Sequence, residues 1–117
     1  MEPWRENAIN WIHEHASSLP EPPTKYHAPR PSTIAQQHAL EIIRSLPDGF
    51  FALSELAVTH ERGIELEWRN GEKELTIDII EDGSLEILHC TADEISEERT
   101  LPRPDWRLGR SFDWLAS

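Results

Sequence analysis

The side chains with most chemistry to offer in this chain are carboxylates set two apart. Glu65 and Glu67 alternate with Ile64, Leu66 and Trp68. Glu74 and Asp78 alternate with Leu75, Ile77 and Ile79, and Glu86 falls between Leu85 and Ile87. Residues two apart on a strand share a face. The five acids therefore belong to one polar face, with the apolar residues on the other. A pair of carboxylates can hydrolyse a glycosidic bond, but that chemistry needs a cleft, which an open sheet does not supply. Two readings stand for this face: a solvated surface, or an electrostatic docking surface for a basic partner.

The remaining reactive residues do not assemble into a recognised motif. Of six histidines, His13 and His15 flank Glu14. On a helix, residues two apart diverge by about 200°, so this pair cannot share one ion. His15 and His38 sit on apolar arcs and read as packed side chains. His89 precedes the lone cysteine, Cys90. Neighbours on a strand point to opposite faces, so they form no thiolate–imidazole pair, and Cys90 reads as structural. With one cysteine there is no internal disulfide and no paired-cysteine zinc or redox site. Neither a phosphate loop, a dinucleotide fingerprint nor a serine-nucleophile elbow is present. The reading is a chain without catalytic residues, metal or cofactor.

Elements that would position the acids follow from periodicity. Trp4, Ala8, Trp11, Ile12, His15 and Leu19 recur at helical spacing, which predicts an amphipathic helix over 3–18. Five prolines in residues 20–32 then favour an extended strap. The strap divides the chain into an N-terminal helical arm (1–19), a proline-rich linker (20–32) and an α+β domain (33–117). Trp4, Trp11 and Ile12 on one face of such an arm suit docking into a partner's groove, or packing on the arm's own domain. A second helix is expected over 33–45, capped by Ser32 or Thr33, with a capping-box pattern from Thr33 to Gln36. Its apolar residues cover a wide arc, so it should be buried on more than one side.

The sheet region reads as an antiparallel meander of three or four strands, packed by helices on one face. A strand is expected near 53–59, turning at Glu61-Arg62-Gly63. Asn70-Gly71 marks the next hairpin. A three-residue loop, Glu81-Asp82-Gly83, with glycine left-handed, pairs Ile79 with Leu85 and Ile77 with Ile87. That register also sets Asp78 opposite Glu86, a like-charge pair that costs stability. A short helix over 111–116 ends the chain, with Phe112, Trp114 and Leu115 available for docking.

The segment from Gly63 through Trp68, Gly71, Leu75, Ile77 and Ile79 to Asp82-Gly83 resembles a hairpin of short uncharacterised bacterial proteins. The resemblance spans residues 54–90. It implies a bacterial or phage origin and no particular activity.

Charge narrows the partner. The 117 residues hold 22 acids and 11 Lys or Arg, a net of −11. Residues 54–99 carry −10 of it, while residues 100–117 are net +1. A phosphate-backbone binder needs a basic stripe, so direct nucleic-acid binding is not expected. The N-terminus lacks a secretory pattern and no run is long enough to span a bilayer, so a cytoplasmic setting without membrane contact is expected. The leading expectation is a small acidic protein that binds, and inhibits or neutralises, a protein such as a toxin or a basic nucleic-acid-binding protein. An antitoxin, an immunity protein and a phage-encoded inhibitor are of this type. The alternatives are a homodimer or larger homo-oligomer that exchanges the N-terminal arm, and an unrecognised enzyme.

Overall fold

Alternation with a period of two, sustained from Ile64 to Cys90, builds the centre of the molecule. A computed structural model describes residues 2–21, 25 and 27–117. Part of the proline-rich strap, including Pro22, Pro23, Thr24 and Tyr26, lies outside the described residues. Five strands form one antiparallel sheet in chain order: β1 (Glu55–Val58), β2 (Ile64–Asn70), β3 (Lys73–Ile79), β4 (Leu85–Thr91) and β5 (Glu94–Leu101). Among the described residues three α-helices accompany it: α1 (Pro3–Asn10), α2 (Thr33–Ser45) and α3 (Leu108–Ala116). The architecture is α+β, with five strands rather than three or four. Among the described residues no helix is long and apolar enough to cross a membrane.

The central register follows the parity of the sequence. Ile79 pairs with Leu85, Ile77 with Ile87 and Asp78 with Glu86. Ile80 closes on Ser84, which leaves Glu81-Asp82-Gly83 as the loop. Gly83 has φ +92°, and a Cβ there would stand 2.7 Å from Ile34 and 2.9 Å from His38 on α2. Only glycine meets both demands. In the β2–β3 hairpin Asn70 pairs with Lys73, so the turn residues are Gly71-Glu72, one place later than Asn70-Gly71 suggests. β5 is the added strand. Its turn, Ala92-Asp93, takes left-handed φ at both positions without a glycine.

The helices cover the apolar face of the sheet. Leu66, Trp68, Leu75, Ile77, Ile79, Leu85 and Ile87 are buried there against Ala39, Ile42 and Ile43 of α2 and Leu108 and Leu115 of α3. Trp68 meets Phe112 edge-on at 5.3 Å. α2 packs against both α1 and the sheet, which accounts for its wide apolar arc. Its N-cap is Ser32, whose Oγ accepts from the Ala35 amide at 3.2 Å and donates to the Glu81 carbonyl at 2.7 Å. Gln36 donates to the Pro31 carbonyl instead of closing a capping box.

The first helix departs from its expected face. Beyond Asn10 it continues as a π turn (Trp11–His15) and a 3₁₀ turn (Ala16–Ser18). The buried stripe is Arg5, Ala8, Ile9, Ile12 and Ala16, while His15 is exposed. Arg5, which lies outside the stripe of Trp4, Ala8, Trp11, Ile12, His15 and Leu19, is 4% exposed. Its guanidinium donates to the carbonyls of Ile43 at 2.8 Å, Leu46 at 2.7 Å and Pro47 at 3.1 Å, and pairs with Glu2 at 3.1 Å. It thus caps the C-terminus of α2, where orphan carbonyls and the negative dipole end collect. Glu2 also accepts from the Gly49 amide at 2.7 Å. That bond first, and Arg5 second, hold its carboxyl down from 4.5 to about 2. The C-terminus of α3 is tied similarly. Asn70 donates to the Leu115 carbonyl at 2.7 Å and Lys73 to that of Trp114 at 2.9 Å.

Replacing Arg5 by Ala strands three carbonyls of the α2 terminus. The expected loss is about 2–4 kcal/mol, a drop of roughly 8–15 °C in the thermal midpoint by circular dichroism. Lys restores the charge without the planar fork and should recover only part. A drop under about 2 °C for Ala would show that the clamp does not hold α1 to α2.

Candidate functional site

The strand register brings the carboxylates together on the face away from the helices. Across the sheet, Glu65 pairs with Asp78 and Asp78 with Glu86. One step along, Glu55 pairs with Glu67 and Glu67 with Thr76, and Leu88 faces Glu98. Beyond them, Arg69 pairs with Glu74, and Glu74 with Cys90. All five acids read from the sequence lie on this face, joined by Glu55 from β1 and Glu98 from β5. Among the described strand residues of this face, Arg69 is the one cation. It contacts Glu67 at 2.9 Å and Glu74 at 3.5 Å.

The acids are not equally displayed. Glu86 is exposed, while Glu65, Glu74 and Asp78 are half-buried. Glu67, expected in solvent, is only 5% exposed because the surrounding long side chains roof it. Crowding shows in the proton affinities. Burial, then the charge of Asp78, pushes Glu65 up. Burial, then the charges of Glu86 and Glu61, pushes Asp78 up, and its Oδ1 is buried without a hydrogen-bond partner. Glu74 is raised by burial and by Glu67. Glu55 is raised chiefly by a hydrogen bond to Glu67. For Glu67 burial works upward, but the bonds from Arg69 and Glu55 outweigh it and hold its carboxyl below the usual range. The two carboxyls are thus shifted in opposite directions, and it is the Glu55 carboxyl that takes up a proton first as pH falls.

One carboxylate oxygen each from Glu55, Glu65 and Glu67 lie within 4.8 Å of one another. Oxygen donors at that spacing can bind a hard divalent cation. A hydrogen bond between the Glu55 and Glu67 carboxyls accounts for the same approach without an ion. The Cys90 thiol on this face is raised by burial, then by Glu74 and Asp93, which suppresses the reactive thiolate. No family model, curated protein or solved structure matches this chain.

The aromatic arm lies elsewhere. Ile12 is fully buried in the chain's own core, so it presents nothing to a partner. Trp4 and Trp11 are half-buried and line a shallow depression with Leu53 and Leu56.

A second polar cluster escapes motif reading. His89, 2% exposed, sits on the apolar side of β4. Its Nδ1 meets Glu97 at 3.0 Å and its Nε2 meets the Ser111 hydroxyl at 2.8 Å. Arg99 donates to the same hydroxyl at 3.0 Å, Arg110 pairs with Glu97 at 2.7 Å, and Trp114 stacks on the imidazole at 4.2 Å. The order Ser–His–Glu matches a hydrolytic triad. Ser111, however, is 0% exposed, so no substrate carbonyl reaches its Oγ. Burial lowers the His89 pKa, keeping a neutral ring that can donate at one nitrogen and accept at the other. The cluster is a buried polar tie joining β4, β5 and α3. Its signal in the sequence is a histidine in step with Leu85 and Ile87, on the core side.

The raised carboxyls give a signed pH dependence. A folded-state pKa above the ordinary 3.8 means that the charged form of Asp78 destabilises the fold. That cost is present above the folded pKa and disappears as pH falls below the unfolded value. Asp78→Asn should therefore raise the thermal midpoint at pH 7.5 by about 2–4 °C, near 0.5–1 kcal/mol, and by nothing near pH 3.5. No gain at pH 7.5, or an equal gain at both, would contradict it.

Proposed function

We propose that this is a small acidic binding protein without a catalytic role. It covers a basic surface of a macromolecular partner, in the manner of an antitoxin, an immunity protein or a phage-encoded inhibitor. One observation supports this reading above the rest. The face that the helices leave open carries the carboxylate row Glu65, Asp78 and Glu86, with Glu67 and Glu74 beside it and Arg69 as its cation. Like charges set directly opposite cost stability, and this face keeps several. A cationic partner relieves that repulsion and gains from the focused field. A merely solvated face would keep the charges without concentrating binding on this row.

The test uses protamine, an arginine-rich polypeptide, as probe in isothermal titration with the full chain. Affinity should fall at least tenfold between about 0.05 and 0.3 M NaCl, because exposed charges are screened. The triple variant Glu65→Gln, Asp78→Asn, Glu86→Gln should lose most of the binding. A control removing the same charge elsewhere, Glu6→Gln, Glu14→Gln, Glu41→Gln, should keep it. At pH near 5.5 binding should also release protons, read from two buffers of different ionisation enthalpy, as raised carboxyls ionise. Equal losses in the two triple variants would show that net charge, not this face, does the binding.

A further inference from the structure

β1 pairs with β2 on one side, and among the described residues no strand lies on the other. The Thr59 amide donates to the Gly63 carbonyl at 3.0 Å, which fixes the alternation along the strand. Glu55 and Ala57 turn their backbone groups toward β2, so Leu56 and Val58 turn theirs outward. Two different surfaces flank this open edge. On the helix side lies a depression of about 330 Å³, walled by Trp4, Asn7 and Trp11 and by Leu53 and Leu56. On the opposite side, one carboxylate oxygen each from Glu55, Glu65 and Glu67 lie within 4.8 Å of one another. Glu55 stands outermost and is exposed.

We infer that the β1 edge takes up an extended segment of a partner protein in which apolar residues alternate with Lys or Arg. The segment lies beside β1 as an added strand, and the outward groups of Leu56 and Val58 bond its main chain. Pleating sends its successive side chains to opposite sides. The residues bonded to Leu56 and Val58 share the helix side with them and enter the depression between Trp4 and Trp11. Their neighbours in sequence point the other way, toward Glu55. Charge selects this occupant. Glu55, Glu65 and Glu67 stand against one cation, Arg69, at 2.9 Å from Glu67, so a basic strand is complementary here. A second copy of the chain is not, because its own edges bring further carboxylates. The other edge, β5, lacks the apolar wall: its helix-side residues include Glu97 and Arg99, opposite His89 and Ile87. The inference rests on the reading of the acidic face as a surface for a basic partner. It adds which part of that partner docks, and by which bonds.

Fluorescence anisotropy of dye-labelled peptides with the full chain tests it. The probe is an end-blocked peptide of about nine residues in which Lys and Val alternate. A second peptide has the same composition with its valines in one block. A third is the alternating peptide N-methylated at its valines, which removes the donors that would meet β1. The alternating peptide should bind at least fivefold more tightly than either. Hydrogen exchange at the Leu56 and Val58 amides should slow at least fivefold when it is bound. Asn7→Arg places a long cation across the wall of the depression from an exposed position, and should weaken binding at least tenfold. Glu55→Lys should do the same, both with an unchanged circular dichroism melt. Gln37→Arg, exposed on α2, adds the same charge elsewhere and should leave binding within about twofold. Equal binding of the three peptides, unaltered exchange at Leu56 and Val58, or full binding by both Asn7→Arg and Glu55→Lys would each overturn the inference. Protamine binding through Glu65, Asp78 and Glu86 would survive those outcomes. Failure of protamine and of all three peptides to bind would overturn both.

Discussion

The alternation of side chains along β2, β3 and β4 governs everything else in the molecule. Pleating sends Ile64, Leu66, Trp68, Leu75, Ile77, Ile79, Leu85 and Ile87 to one side and the carboxylates to the other. A slip of one residue in any of these strands would bury acids and expose the core. Register is therefore set twice. Gly83 supplies the left-handed turn, and the helix above the turn checks it, because Ser32 and His38 both bond to the loop, at the Glu81 and Gly83 carbonyls. The apolar face brings enough burial to sustain a crowded acidic one. Stability and electrostatic character are thus assigned to opposite sides of the same strands.

Both ends of the helical layer are held by one device. Arg5 reaches the carbonyls that end α2, and Asn70 with Lys73 reaches those that end α3. A third tie, His89 with Ser111, Glu97 and Arg99, fixes the flank of α3 to β4 and β5. Buried polar groups are tolerated where their bonds are completed. Here each completed bond also specifies how a helix sits on the sheet, which apolar contact alone, being non-directional, does not do.

What is legible in the residues is what depends on near neighbours. The β2–β4 meander, the β3–β4 loop, α2 and its serine cap all follow from spacing within one or two turns of chain. The acidic face follows with them, because Glu65, Glu67, Glu74, Asp78 and Glu86 share the parity of those strands. β5 is not legible: Glu94, Glu97 and Glu98 depress its strand propensity, and Ala92-Asp93 lacks the glycine that advertises a tight turn. The burial of Arg5 is hidden for a different reason. Its acceptors lie 38 to 42 residues away, and a wheel drawn on one helix cannot supply them. The shielding of Glu67 depends on Glu55 arriving across from it on β1. Ser111 meets His89 only once α3 has docked.

An open meander leaves two strand edges with unpaired backbone groups, and β1 and β5 are those edges here. β1 is only four residues long and begins with Glu55, while β5 carries Glu94 and Glu98, both exposed. Such edges resist templated strand addition, since a second edge laid alongside would bring carboxylate against carboxylate. The residues that make β5 hard to recognise as a strand also keep it from recruiting further strands into a fibril. Conditions that erase the charge, acid above all, would remove that guard and leave a sheet able to grow at its margin.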